Sequence, residues 1–192
     1  SKVILTTTAI LILFPALYFY FGEFRQGSFG TRLLLSLFQS VTPRTAGFNT
    51  ADFSQLNASG QMLTIILMLI GGSPGSTAGG MKTTTIAVLT ATAVSVFQRN
   101  ENPELFHRRI AQETVADAAA ILMMYLSLCL TGAFLISRIE DLPMMACVFE
   151  TASAVGTVGL SFGITPGLGS ISRIILIILM YLGRVGGLTL IY

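Results

Sequence analysis

The chain has 192 residues, 53% of them hydrophobic and only 10% charged, with a formal net charge of +2. A soluble domain carries about a quarter of its residues charged, so this composition, with a mean hydropathy of +0.77, points to an integral membrane protein. The small net charge argues against a nucleic-acid partner. Cys129 and Cys147 both lie in apolar stretches, which argues against a disulfide framework or a cysteine metal site.

In chain order, Val3 to Phe21 comes first, 19 residues without a charge. It is close to the length a spanning helix needs and too long for the apolar part of a cleaved signal peptide. With Ser1 in place of Met, the chain reads as a piece of a longer protein. Thr31 to Val41 is too short and too polar to span, and it leads into Thr45-Ala46-Gly47-Phe48-Asn49.

Ala58 to Gln98 then runs for 41 residues. As one helix it would be about 60 Å long, twice the hydrocarbon thickness, so it must break. The break is expected at Gly71, Gly72, Ser73, Pro74, Gly75, Ser76, Thr77, Ala78, Gly79 and Gly80, where five glycines and a proline remove helix propensity and a backbone donor. Non-helical backbone at that depth survives only packed in protein or lining a wet cavity, so this stretch reads as a mobile or pore-lining loop.

Gln98 to Glu113 is a polar connector in which His107, beside Arg108 and Arg109, is expected to be solvated. Ala118 to Ser137 gives a second span of 20 residues. Leu142 to Val155 is another half-polar segment, with Asp141 as an expected acidic cap and Pro143 in the first turn. It leads to Thr157-Val158-Gly159-Leu160-Ser161. Ile174 to Leu190 is a third apolar run, interrupted only by Arg184.

The second half of this order repeats the first. Residues 45–77 align with 157–189 at a constant shift of 112, with ten identities in 33 positions, among them Thr45 with Thr157, Gly47 with Gly159, Ile65 to Met68 with Ile177 to Met180, and Gly71 with Gly183. Each copy has an amphiphilic stretch led by Phe38 or Phe149, a short segment centred on glycine, and a long apolar run. A repeat of this length is one structural unit used more than once around a shared axis. The division follows as one unit over 1–112 and a second over 113–192.

A half-helix that enters the membrane and returns as extended chain is a re-entrant loop, and its C-terminal end points a partial negative charge inward. Glycine lets the following carbonyls turn towards an axis at positive φ, and threonine adds a hydroxyl oxygen. Rings of such oxygens replace the hydration shell of an alkali cation. Neither glycine-centred segment carries an acid in its extended part, which favours a monovalent over a divalent ion.

At Thr42 to Asn49, Gly71 to Lys82, Phe149-Glu150-Thr151, Gly156 to Leu160 and Gly183-Arg184-Val185-Gly186, the chain resembles the Trk/Ktr/HKT superfamily of potassium transporters, most closely the membrane subunit of bacterial Ktr systems. The resemblance implies an all-α integral membrane fold of two tandem helix, re-entrant pore loop, helix repeats, the third and fourth of four around one pore in the cell membrane. It implies that the carbonyls of Thr45, Ala46, Gly47 and Phe48, and of Thr157, Val158, Gly159 and Leu160, form two quarters of a potassium selectivity filter. It further implies that Gly71 to Gly80 is an intramembrane gating loop, faced by Arg184 at the constriction. Extracellular pore loops, a cytoplasmic connector, the remaining two pore repeats of the same protein, a homodimer and a cytoplasmic nucleotide-binding regulatory subunit are implied in the same way. No cofactor is expected beyond potassium as the transported ion.

Other readings stand beside this one. Gly71xxxGly75, Gly75xxxGly79 and Gly183xxxGly187 also suit close helix packing. Lys82, counted with the gate, is equally well placed to snorkel to an interface. Arg184 lies deep in an apolar run, where a charge costs about 2.5 to 3.5 kcal/mol, so it should face protein or water. Glu150 and Asp117 are intramembrane acids by position, and Glu150 is expected to bond pore-loop backbone. Gly75 to Thr83 resembles a phosphate loop until Met81 separates Gly80 from Lys82, and that spacing argues against an enzyme. A secondary transporter that cradles a small solute at broken helices is the main alternative, and an assembly protein using its small-residue faces is a third. Six basic residues against five on the two sides leave orientation unwritten.

Overall fold

The computed structural model describes residues 2–99, 104–105 and 108–189. His107 and Leu190, for which the sequence raised expectations, lie outside them. Seven helices follow in order: α1 (Lys2–Gly22), α2 (Phe29–Val41), α3 (Ala58–Leu69), α4 (Thr83–Phe97), α5 (Gln112–Glu140), α6 (Met144–Val155) and α7 (Ser170–Thr189). The only strands among the described residues are Glu104–Leu105 and Arg108–Arg109, a two-residue antiparallel pairing in the connector. The fold is therefore all-α. α1 and α5 are long and apolar enough to cross a membrane, while α2, α3 and α6, at 12 or 13 residues, reach about halfway.

The long helix expected to break does so. α3 stops at Leu69 and α4 starts at Thr83. The chain between them leaves and returns at one point: the Gly71 N–H donates to the Met81 carbonyl (2.8 Å) and the Met81 N–H to the Leu69 carbonyl (2.9 Å). Gly71 lies so close to the Gly79 carbonyl that a Cβ there would overlap it. The half-helices are also as expected, and α2 and α3 are capped by local chemistry. Ser28 accepts from the Thr31 N–H at the start of α2, and Asn57 from the Gly60 N–H at the start of α3.

The start of α6 is different from the sequence reading. Asp141 does not cap α6; it ends α5 in the left-handed region (φ 53°, ψ 40°), a conformation Asp tolerates better than most side chains. Pro143 holds the cap position without a side-chain hydrogen bond. The reason is that α5 continues to Glu140, leaving three residues to reverse the chain, so Asp141 is used for the turn.

The core centres on α6, which packs against α3, α5 and α7. Cys147 and Phe149 to Gly156 are all buried. α2 packs mainly on α1 and buries only Ser36, Gln39 and Ser40. Arg32 fixes that pair by donating to the Phe24 and Tyr20 carbonyls (2.7 and 3.0 Å) with its guanidinium 4.3 Å above the Tyr20 ring.

Candidate functional site

Both glycine-centred segments follow the ends of half-helices and share an unusual backbone. Thr45 (φ 62°) and Gly47 (φ 73°) match Thr157 (φ 53°) and Gly159 (φ 89°). Glycine at positive φ was expected; threonine there is strained, because a β-branched side chain crowds the carbonyl. The same pair of conformations at positions 112 residues apart is a structural repeat, one that sequence identity alone expressed only in part.

The two segments meet. A Cβ on Gly47 would run into the Val158 carbonyl oxygen and stand 3.8 Å from the Gly159 Cα, so the backbones approach as closely as glycine permits. The loop at the α3–α4 break reaches the same place. The Gly79 N–H donates to Thr157 Oγ1 (3.1 Å), and the Arg44 guanidinium Nη2 donates to the Gly71 carbonyl (3.5 Å). Its ends, Gly71, Gly79 and Gly80, are buried, and its tip from Pro74 to Thr77 is exposed. Lys82 Nζ turns back on the loop, donating to the carbonyls of Ser76 (3.0 Å) and Ala78 (2.7 Å), so its ammonium is satisfied within the loop. Arg184 is exposed on α7, within Coulombic reach of Lys82. One residue earlier on α7, Gly183 packs its Cα on the Val155 carbonyl, while its own carbonyl accepts from Tyr125 Oη (3.0 Å).

The carbonyls of the two segments are not equally free. The Phe48 carbonyl accepts from the Thr42 hydroxyl (2.5 Å), and the Phe48 ring is 71% exposed whereas Leu160, its counterpart, is 3%. In the second segment Glu150, 4% exposed, accepts from the Ser161 and Thr165 hydroxyls (2.6 Å each) and from the Phe162 N–H (2.9 Å). Ser153 Oγ accepts from the Gly159 N–H (3.2 Å), and the Phe149 and Phe162 rings stack with centroids 3.8 Å apart. Beyond the first segment, Asp52 accepts from the Ser54 hydroxyl (2.6 Å) and N–H (3.0 Å) and from Gln55 Nε2 (3.0 Å). The Ser54 bonds hold this exposed carboxyl below the usual aspartate range. A cavity of about 750 Å³ opens at the second segment, walled by Asn49, Glu150, Thr157, Gly159, Thr165 and Met180.

With this geometry in view, the relationships of the chain are decisive. The profile of TrkH, a family of cation transport proteins, matches residues 2–192. The chain belongs to the TrkH family. This TrkH-family chain is 40% identical over 201 residues to the potassium/sodium uptake protein NtpJ of Enterococcus hirae, covering 100% of this chain and 45% of that protein. It is 35% identical over 198 residues to the Ktr system potassium uptake protein B of Bacillus subtilis, covering 100% and 44%. It thus spans less than half the length of these relatives. The crystal structure of the potassium transporter TrkH from Vibrio parahaemolyticus superposes with a TM-score of 0.80 over 99% of this chain and 42% of that one, at 21% identity, which establishes the TrkH fold for the described helices.

Several contributors escaped the sequence reading. Arg44, one of the five basic residues counted on one side, reaches the Gly71 carbonyl, and its Nε has no partner among the described residues. Thr42 enters the sequence reading only as the first residue of the resembling stretch, and Ser153 not at all. Their signal was available: a hydroxyl within the last turn of a half-helix lies next to the chain that doubles back from it.

Proposed function

We propose that the protein carrying this chain moves potassium across the cell membrane through a channel-like pore, down its electrochemical gradient. Residues 1–112 and 113–192 supply two of its quarters. The carbonyls of Thr45 to Phe48 and Thr157 to Leu160 would stand in for water around the ion. The loop from Gly71 to Gly80, with Lys82 and Arg184, would form the gate. The observation that carries this reading is the convergence of all three segments on one place, with Gly47 against Val158 and Gly79 against Thr157. A gate in contact with the filter lies in the ion's path, and positive charge on Lys82 and Arg184 opposes a cation there until the loop moves.

The names of the relatives support the same cargo, since NtpJ is described as a potassium/sodium uptake protein and the Bacillus subtilis protein as part of a Ktr potassium uptake system. Lipid is the surrounding partner. The exposed Phe48 side of the first loop suits cover by the remaining two pore repeats of the same protein. A homodimer and a cytoplasmic nucleotide-binding regulatory subunit complete the proposal, with the system-type names of the Ktr relatives as their support.

The test is rubidium uptake by cells deficient in potassium uptake that express the full-length parent, wild type beside Gly47→Ser and Gly159→Ser. Uptake that becomes unselective or is lost in both variants supports the filter. No uptake by well-expressed wild type, or full uptake by both variants, sinks it. Deleting the loop tip, residues 74–77, should raise flux; flux unchanged by the deletion removes the gating role.

A further inference from the structure

Glu150 is a buried carboxylate with no cation beside it. Among the described residues the one ion pair joins Arg109 to Glu104 in the connector, so three hydrogen bonds alone compensate the Glu150 charge. All three come from the chain just after Gly159, from Ser161, Phe162 and Thr165. A charge held this way makes each donor matter, because losing one leaves a buried acceptor short.

The path of the loop does not require this arrangement. With Phe38 and Phe149 leading the two half-helices, Gln39 stands at the Glu150 position, buried but with no hydrogen-bond partner among the described residues, Thr42 stands at that of Ser153, and at the shift of 112 Phe53 stands at that of Thr165. The first loop nonetheless makes the same positive-φ turns at Thr45 and Gly47. A carboxylate that the turn can do without, placed behind only one of two matching loops, is expected to do something other than make the turn.

We propose that Glu150 is a specificity-positioning residue: its three-donor clamp on Ser161, Phe162 and Thr165 fixes the exit of the second pore loop, so that the carbonyls around Gly159 keep the spacing that favours potassium over sodium. This rests on the filter reading above. Glu150 acts through the loop and does not touch the ion, since both of its oxygens are engaged by donors. Ser161 and Thr165 are its instruments, and the 3.3 Å contact between their hydroxyls joins the two arms of the clamp.

Four variants of the full-length protein separate a clamp from a charge. Glu150→Ala removes the acceptor, Thr165→Val removes one donor at constant shape, Glu150→Gln removes the charge but keeps a carbonyl for the Phe162 N–H and the Ser161 hydroxyl and turns an amide to the Thr165 hydroxyl, which can accept from it, and the fourth combines Glu150→Ala with Thr165→Val. The readout is rubidium uptake competed by sodium, normalised to protein in the membrane, together with amide exchange of residues 159–165 in the purified protein. Glu150→Ala should lower the preference for rubidium about tenfold, with Thr165→Val intermediate, Glu150→Gln close to wild type, and the double variant no worse than Glu150→Ala. Exchange at the Phe162 amide should rise in the same order. Collapse of preference in Glu150→Gln with none in Thr165→Val would assign the effect to charge and overturn the proposal. Reduced protein in the membrane with unchanged preference would overturn it as well. Wild type without rubidium uptake removes the filter reading and the specificity claim with it, whereas uptake with an unprotected Phe162 amide removes the clamp alone.

Discussion

The first and second loops share a backbone and differ in what stands behind it. Thr45 and Gly47 adopt the conformations of Thr157 and Gly159, but the second loop is backed by Phe149, Glu150 and Ser153 on a half-helix enclosed by three others. The first is held chiefly by Thr42, and its half-helix carries a buried Gln39 amide with no partner among the described residues. The turn is therefore a property of the loop's own residues, and its rigidity a property of the half-helix. Two copies of one motif diverge in the second property while keeping the first.

That comparison can be broken most forcefully at Phe149. Truncation to Ala removes the stack on Phe162 and the contact with Phe53 at a fully buried position and should cost about 3 kcal/mol. Phe38→Ala at the equivalent, half-buried place should cost clearly less. Thermal unfolding of the purified variants measures both, and equal losses would erase the distinction between the half-helices.

Next in size is the glycine pair. Gly47→Ala drives a Cβ into the Val158 carbonyl, whereas Gly159→Ala meets open space and bears only the strain of its positive φ, about 1 to 2 kcal/mol. Both should lose selective uptake, but only Gly47→Ala should also reduce the folded protein recovered from membranes. Smaller again is Thr42→Val, which frees the Phe48 carbonyl at about 1 kcal/mol. Faster amide exchange over residues 46–50, with residues 158–162 unchanged, is the expected result.

The smallest effect concerns acid. Because hydrogen bonds from Ser54 lower the Asp52 pKa on folding, its contribution is complete above the unfolded value of about 3.9 and is lost as pH falls through the lower folded value. Asp52→Asn should flatten stability against pH only in that acidic window, an effect screened by the exposure of the group.

Much of this architecture was legible. Length against bilayer thickness required the break between Leu69 and Thr83, and glycine with proline placed it. The polar brevity of α2 and α6 identified half-helices, and the Phe162 N–H, just past the second glycine-centred segment, is the backbone group that Glu150 bonds. What escaped depended on chain reversal. Asp141 resembles a helix cap until α5 is seen to run up to it, and Arg44 is one more basic residue on one membrane side until Gly71 folds over it. Positive φ at Thr45 and Thr157 opposes the intrinsic preference of threonine, so no local rule predicts it. The Arg44 bond to Gly71 joins segments distant in sequence, to which periodicity is blind.

The pinch at the α3–α4 break, where Ile70 pairs with Met81, separates the bookkeeping of the helices from that of the chain between them. Because the loop leaves and rejoins at one point, residues can be gained or lost at its tip without rotating α4 relative to α3 or shifting either in the bilayer. Insertions and deletions at 74–77 thus become a dial on the reach of the loop alone, open to selection or to an engineer without redesign of the scaffold.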